Sequence, residues 1–164
     1  MKVKLKKIDD KAVIPYKTYN KDFCYDVVAT SCEEVAPNVY KYGLGLAFQI
    51  ERGREPIETK GYLVEYCPID FNRSPINLSI DFRPRSSVWQ TGMILSNCEG
   101  TIDESYTGEV SAVFYHVMPT MPKYEVGDRI GQIKLGITLP MEFVEVDELD
   151  DTKRGAGGYG STGK

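Results

Sequence analysis

Apolar and polar residues alternate along this chain in short runs, and Gly, Pro, Asn or Asp closes most of them. A period of two lays alternate side chains on opposite faces of a strand, and no stretch sustains the 3.6-residue period of a helix. Candidate strands are Lys2–Lys7, Tyr25–Ala29, Gly43–Gln49, Tyr62–Tyr66, Leu78–Phe82, Gly92–Ser96, Glu109–Tyr115, Arg129–Gly136 and Glu142–Val146. Many short strands between frequent turns predict an all-β sandwich or barrel, and eleven tyrosines suit half-buried pleated surfaces. Helix is confined to one turn or so at Ser86–Gln90, just after Pro84.

The length of 164 residues fits one domain with a real core, and neither a repeat nor a Pro-rich linker divides it. Glu51–Arg83 mixes Pro56, Gly61, Pro68 and Pro75 with charges, so it reads as surface hairpins and loops rather than central strands. After the acidic Asp147, Glu148, Asp150 and Asp151 the chain turns glycine-rich. The expected division is a β domain over 1–149 and a mobile arm over 150–164.

No apolar run approaches the ~20 residues that span a bilayer. The alternating basic start reads as a first strand, not a signal peptide. Cys24, Cys32, Cys67 and Cys98 lie far apart and His116 is the sole histidine, which does not suit a zinc site. Reduced thiols in a cytoplasmic setting are the default expectation. A net charge of −4 argues against a general nucleic-acid binder. An anionic ligand would need locally gathered cations or a metal.

Four clusters can carry chemistry. The tail Arg154–Lys164 holds five glycines, two cations, two hydroxyls and Tyr159. Glycine lets backbone N–H groups crowd an anion, and the Arg154 fork suits phosphate oxygens, although a disordered terminus has the same composition. Gly158–Lys164 spells the start of a P-loop, but the following hydroxyl and helix are missing, so that match is accidental. Gly100–Glu109 reads as a β-hairpin whose tip brings Asp103 and Tyr106 together. There Asp103 is either a general base for water or a turn cap. In Pro84-Arg85-Ser86-Ser87 the arginine can bind phosphate or hold a carboxylate, and the whole is also an ordinary capped turn. In Gly127-Asp128-Arg129-Ile130-Gly131-Gln132, Arg129 reads chiefly as fold, while Gln132 can contact a phosphate.

Together these clusters resemble the trimeric dUTP diphosphatases (dUTPases), whose five ordered motifs all have counterparts from Phe23 onward. The first is similar to Phe23-Cys24-Tyr25-Asp26, with Tyr42-Gly43-Leu44 following. The second is Pro84–Ser87 and the third Asn97–Gly108, with G-x-I-D-x-x-Y-x-G intact. The fourth is Gly127–Gln132 and the fifth Arg154–Gly163.

The resemblance implies a distorted jelly-roll or β-barrel and cleavage of dUTP to dUMP and diphosphate with Mg²⁺. Asp103 would activate the water that attacks the α-phosphorus. Asp26 would act at a distance, through metal-bound water or by holding Arg85, with no direct protein ligand to the metal. The phosphate contacts implied are Arg85, Ser86, Ser87 and Gln132, joined by Arg154, Gly160, Ser161 and Thr162 of the arm. Uracil would pair with Asn97 and with hairpin backbone at Gly100 and Ile102, and cytosine would leave groups unpaired at ~1–3 kcal/mol each. Tyr106 would lie under deoxyribose, and Tyr159 would stack on uracil where Phe is usual. A homotrimer with shared sites is implied as well.

Departures are Cys24, where a smaller residue is common, and a segment of about 51–82 longer than the family's, a candidate surface for a protein partner. Within it Tyr62, Tyr66 and Phe71 read as packing. His116, Trp89 and Cys98 are expected to be structural, with Trp89 against the sheet and Cys98 buried. The competing readings are a dCTP deaminase, alone or bifunctional, and a nucleotide-sensing regulator on the same fold.

Overall fold

The computed structural model describes residues 2–52 and 76–158. Ten strands are present among them, with one short 3-10 helix, Ser86–Thr91. The strands are β1 (Lys2–Lys7), β2 (Tyr25–Val28), β3 (Ser31–Ala36), β4 (Val39–Gly43), β5 (Leu46–Glu51), β6 (Asn77–Arg83), β7 (Met93–Leu95), β8 (Gly100–Asp103), β9 (Ser111–His116) and β10 (Arg129–Thr138). The all-β expectation is met, with helix restricted to the place anticipated after Pro84.

Two four-stranded antiparallel sheets, ordered β2-β10-β6-β8 and β3-β4-β9-β7, enclose the core, and β1 pairs with β5 as a separate ribbon. Alternation decides which side chains enter. Leu78, Ile80 and Phe82 of β6 point inward, as do Ala112 and Phe114 of β9. Phe82 meets Phe114 edge-on across the two sheets at 6.3 Å between ring centroids, and Phe114 meets Tyr124 at 5.6 Å. Such edge-to-face pairs add about 1 kcal/mol each beyond burial. The buried Tyr42 hydroxyl donates to Tyr124 O at 2.9 Å, and burial pushes its pKa far above the ordinary phenol value.

Several expectations are corrected here. The stretch Glu51–Arg83, read as surface loops, ends in β6, a central strand between β10 and β8. Its alternating Leu78, Ile80 and Phe82 bury despite the prolines upstream. Gly43–Gln49 is not one strand, because Gly45 takes a left-handed φ of 63° and separates β4 from β5. β3 escaped notice because it is an edge strand whose side chains mostly face solvent. Glu142–Val146 forms no strand: it alternates, but no strand among the described residues pairs with it, and Phe143 is 87 % exposed. Trp89 is 70 % exposed rather than packed on the sheet, and Cys98 is exposed rather than buried. His116 does have a structural place, donating from Nε2 to Met121 O at 3.0 Å.

Tyr62–Tyr66, Phe71, Cys67 and most of the 51–82 segment lie outside the described residues, as do Tyr159, Gly160, Ser161 and Thr162. No described helix is long and apolar enough to cross a membrane.

Candidate active site

Asp26 is a carboxylate only 5 % exposed, and a fault in strand pairing surrounds it with partners. Its backbone is fixed on both sides, by a bridge to Tyr16 and by pairing with Gln132. Between Arg129 and Gly131 the register of β10 against β2 slips by one residue. In a regular strand Arg129 and Gln132, three positions apart, would point to opposite faces. The bulge places both on the face that carries Asp26. Arg129 Nη1 then donates to Asp26 Oδ2 at 2.9 Å, and Gln132 Nε2 donates to Oδ1 at 3.0 Å. Gly131 is needed at the slip, since a Cβ there would run into the Phe82 ring.

Arg85 joins this group from the residue preceding the 3-10 helix. Its Nε lies 3.4 Å from Asp26 Oδ1, an ion pair without hydrogen-bond geometry, so that buried N–H keeps no acceptor. Two guanidinium groups therefore flank one carboxylate, and the cluster is net positive although the chain is acidic. Ser86 and Ser87 follow at the first turn, exposed and half-buried. The expected approach of Asp26 to Arg85 is present, and Arg129, read chiefly as fold, is the closer partner. Its signal lay in the Asp-Arg-x-x-Gln spacing, which becomes one-sided only with a bulge.

The Asp103 region is built differently from the expected hairpin. β8 pairs with β6, whereas β9 pairs with β4 and β7, so the strands flanking Gly100–Glu109 belong to two sheets. Asp103 ends β8 and is exposed, with no hydrogen-bond partner to its carboxylate among the described residues. Tyr106 N–H donates to Asp103 O at 3.0 Å and closes the turn. Tyr106 Oη donates to Glu109 O at 2.9 Å, and the ring lies so close over Gly108 that an added Cβ would sit 2.6 Å from Oη. Asp103 and Tyr106 are thus brought together, on a sheet edge and its turn.

Asn97, Gly100 and Ile102 also converge. With Phe82, Leu95 and Ser111 they line a cavity of about 190 Å³, the room of roughly six waters. Cys98 beside them takes a left-handed φ of 58°. A larger apolar groove of about 410 Å³ lies between the β1–β5 ribbon and β10, lined by Val3, Leu5, Ile14, Phe48, Ile133 and Leu135. It contains none of the candidate site residues, whereas Asn97, Gly100 and Ile102 line the smaller cavity.

Asp26 and Asp103 share the sheet face turned away from the core but stand far apart. Asp103 pairs with Ser79, and Ser79 with Gly136, four residues beyond Gln132, the partner of Asp26. At ~3.3 Å per residue and ~4.8 Å per strand the separation is roughly 20 Å. Ion pairs fill the space between, Arg83 with Glu99 and Lys134 with Asp81. Burial alone would raise the Asp81 pKa, but hydrogen bonds from Lys134 and Ser79 outweigh it and hold the carboxyl below its ordinary range. Arg154 is in neither place; its Nε donates to Gly157 O at 2.8 Å on an exposed turn.

The dUTPase family model matches residues 70–163. Among similar curated proteins, the deoxyuridine 5'-triphosphate nucleotidohydrolase of Nautilia profundicola is 32 % identical over the whole of both chains. That of Helicobacter pylori (strain P12) is 31 % identical, covering 99 % of this chain and 97 % of its own. Among solved structures, a mutant dUTPase of Staphylococcus bacteriophage 80alpha with dUpNHpp superposes with a TM-score of 0.72 at 18 % identity, over 99 % of each chain. A dUTPase of phage phi11, described with a structural Mg(II) ion, gives 0.63 at 14 % identity, over 92 % of this chain and 100 % of its own.

Proposed function

The chain belongs to the dUTPase family, and we propose on that premise that it hydrolyses dUTP to dUMP and diphosphate, limiting uracil in DNA and supplying dUMP for dTMP synthesis. The observation that carries the reading is the convergence of Asn97, Gly100 and Ile102 on one small cavity with Asp103 next along the strand. Uracil enters that cavity, where the Asn97 amide and the backbone at Gly100 and Ile102 pair with its edge. The Tyr106 ring, pinned over Gly108, flanks the deoxyribose and leaves no room for a 2′-hydroxyl. Asp103 accepts a proton from water as the water oxygen bonds to the α-phosphorus, and the bond to the diphosphate oxygen breaks.

The triphosphate is met by Arg85, Ser86, Ser87 and Gln132, with Asp26 holding Arg85 and Gln132 in place. Arg154, Tyr159, Gly160, Ser161 and Thr162 of the arm close over it. The donor set also fits Mg²⁺ carried on the substrate. Both Asp26 oxygens already accept hydrogen bonds, from Arg129 and Gln132. The ion would be held by triphosphate oxygens and water, with Asp26 beyond its water shell, and would neutralise phosphate charge.

Asp103 and the Asp26 group are too distant to act on one nucleotide within a chain, which supports a homotrimer with sites assembled from several subunits. The uncovered Leu139, Met141, Phe143, Val144 and Leu149 agree with a segment that packs on a neighbour. Diphosphate release measured across dUTP, dCTP, dTTP and UTP should be confined to dUTP; equal rates overturn the specificity. Ammonia from dCTP would point to deamination instead. Light scattering should give a trimer, and an active monomer would refute the shared site.

A further inference from the structure

The Asp103 turn is held through its neighbour in sequence. Arg52, immediately after β5, donates from Nε to Glu104 Oε1 at 2.8 Å and from Nη2 to Glu104 Oε2 at 2.6 Å. Nη2 also donates to Ile76 O at 2.9 Å. One guanidinium fork thus joins the end of β5, the start of β6 and the residue that follows Asp103. A bidentate arginine fixes the plane of its partner as well as the distance, which one ammonium cannot do. The two side chains are 33 % and 30 % exposed, so the pair is only partly screened. The hydrogen bonds from Arg52 hold the Glu104 carboxyl below its ordinary range, and it remains charged at neutral pH.

We propose that Arg52 is a positioning residue for the reaction: by clamping Glu104 it aims the Asp103 carboxylate at the reacting water without touching the substrate. This rests on the dUTP-hydrolysis reading above. Among the described residues nothing bonds to the Asp103 carboxylate, so its direction is set by the backbone on either side. That backbone is fixed by the Arg52–Glu104 clamp and by the Tyr106 N–H to Asp103 O bond. Neither Arg52 nor Glu104 lines the small cavity, so losing the clamp moves the base and leaves the base-reading edge intact. A general base works only within hydrogen-bond reach, and a misplacement of ~1 Å costs up to about 100-fold.

Steady-state dUTP hydrolysis by Arg52→Ala, Arg52→Lys, Glu104→Gln and the Arg52→Ala/Glu104→Gln pair tests this, with thermal unfolding of each as a check on folding. Arg52→Ala should lower kcat about tenfold while KM stays within about twofold. The double variant should be no slower than the slower single variant, since both remove one clamp. Lysine at position 52 should recover part of kcat. Wild-type kcat in Arg52→Ala, a KM that rises as far as kcat falls, or losses that multiply in the double variant would each overturn the proposal. If Arg52→Ala does not fold, Glu104→Gln and Arg52→Lys must still lower kcat alone, and a wild-type kcat in both overturns it. Wild-type enzyme is assayed first. Without diphosphate release from dUTP both readings fall, whereas normal release with unchanged variants removes the Arg52 inference only.

Discussion

Asp26 and Asp103 lie on one sheet face yet are held in opposite ways. Asp26 is buried, paired by backbone on two sides and approached by Arg85, Arg129 and Gln132. Asp103 is exposed, and its surroundings fix only the backbone around it. Under the proposed function the contrast follows from what each would do. A carboxylate that organises cations for a polyanion gains from saturation, because every partner fixes another donor. A carboxylate that takes a proton from water must keep its lone pairs free, so its placement has to come from neighbours.

Substitutions at the two sites should therefore fail differently. The largest effect is expected from Asp103→Asn, which should fold and unfold like wild type but turn over dUTP at least ~100-fold more slowly. Single-turnover rates beside thermal unfolding check this, and a matching loss of stability would erase the contrast. Asp26→Ala should act on the fold first. Arg129 and Arg85 lose their partner, and about 2–3 kcal/mol of stability should go, less than for a fully buried pair because Arg129 is partly solvated. Urea titration measures it, and an unchanged midpoint would make Asp26 a purely functional residue. Truncation after Asp151 should slow turnover by about tenfold or more with the unfolding midpoint unchanged; unchanged kinetics remove the arm from the phosphate end.

The smallest effect concerns the ion pairs between the two sites. Asp81 and Glu104 have folded pKa values lowered below their ordinary ones. Their contribution to stability is therefore complete above the unfolded pKa, about 4, and is lost as pH falls through the folded values. Unfolding midpoints should decline below about pH 4, and Asp81→Asn should flatten that decline. A slope unaltered by Asp81→Asn assigns the loss elsewhere.

Local chemistry was legible in the chain and long-range register was not. Asp103, Tyr106 and Arg85 stand out from short spacings, whereas Asn97 is named only through the family resemblance. The distance between Asp26 and Asp103 within one chain could not be read this way, since it depends on Ser79 facing both Asp103 and Gly136, partners distant in sequence. Sharing of sites between subunits enters only as what the resemblance implies. The pairing of Arg129 with Asp26 goes unseen because a one-residue slip reverses the face that counting assigns. Glu142–Val146 shows the converse: alternation marks a surface that wants a partner, and the described residues offer none. β6 reads as a strand from its own alternation at Leu78–Phe82, and the prolines before it hide only its central place in the sheet.

The slip in β10 carries a consequence for how this protein tolerates change over time. Because Ile130 is the extra residue and is fully buried, deleting it would straighten the ladder and leave Arg129 opposite Val28, on the face of Asp26, but would take a side chain out of the core. Single-residue deletions should be far rarer survivors there than substitutions, and a deletion scan of the strand would register the bulge as an intolerant notch.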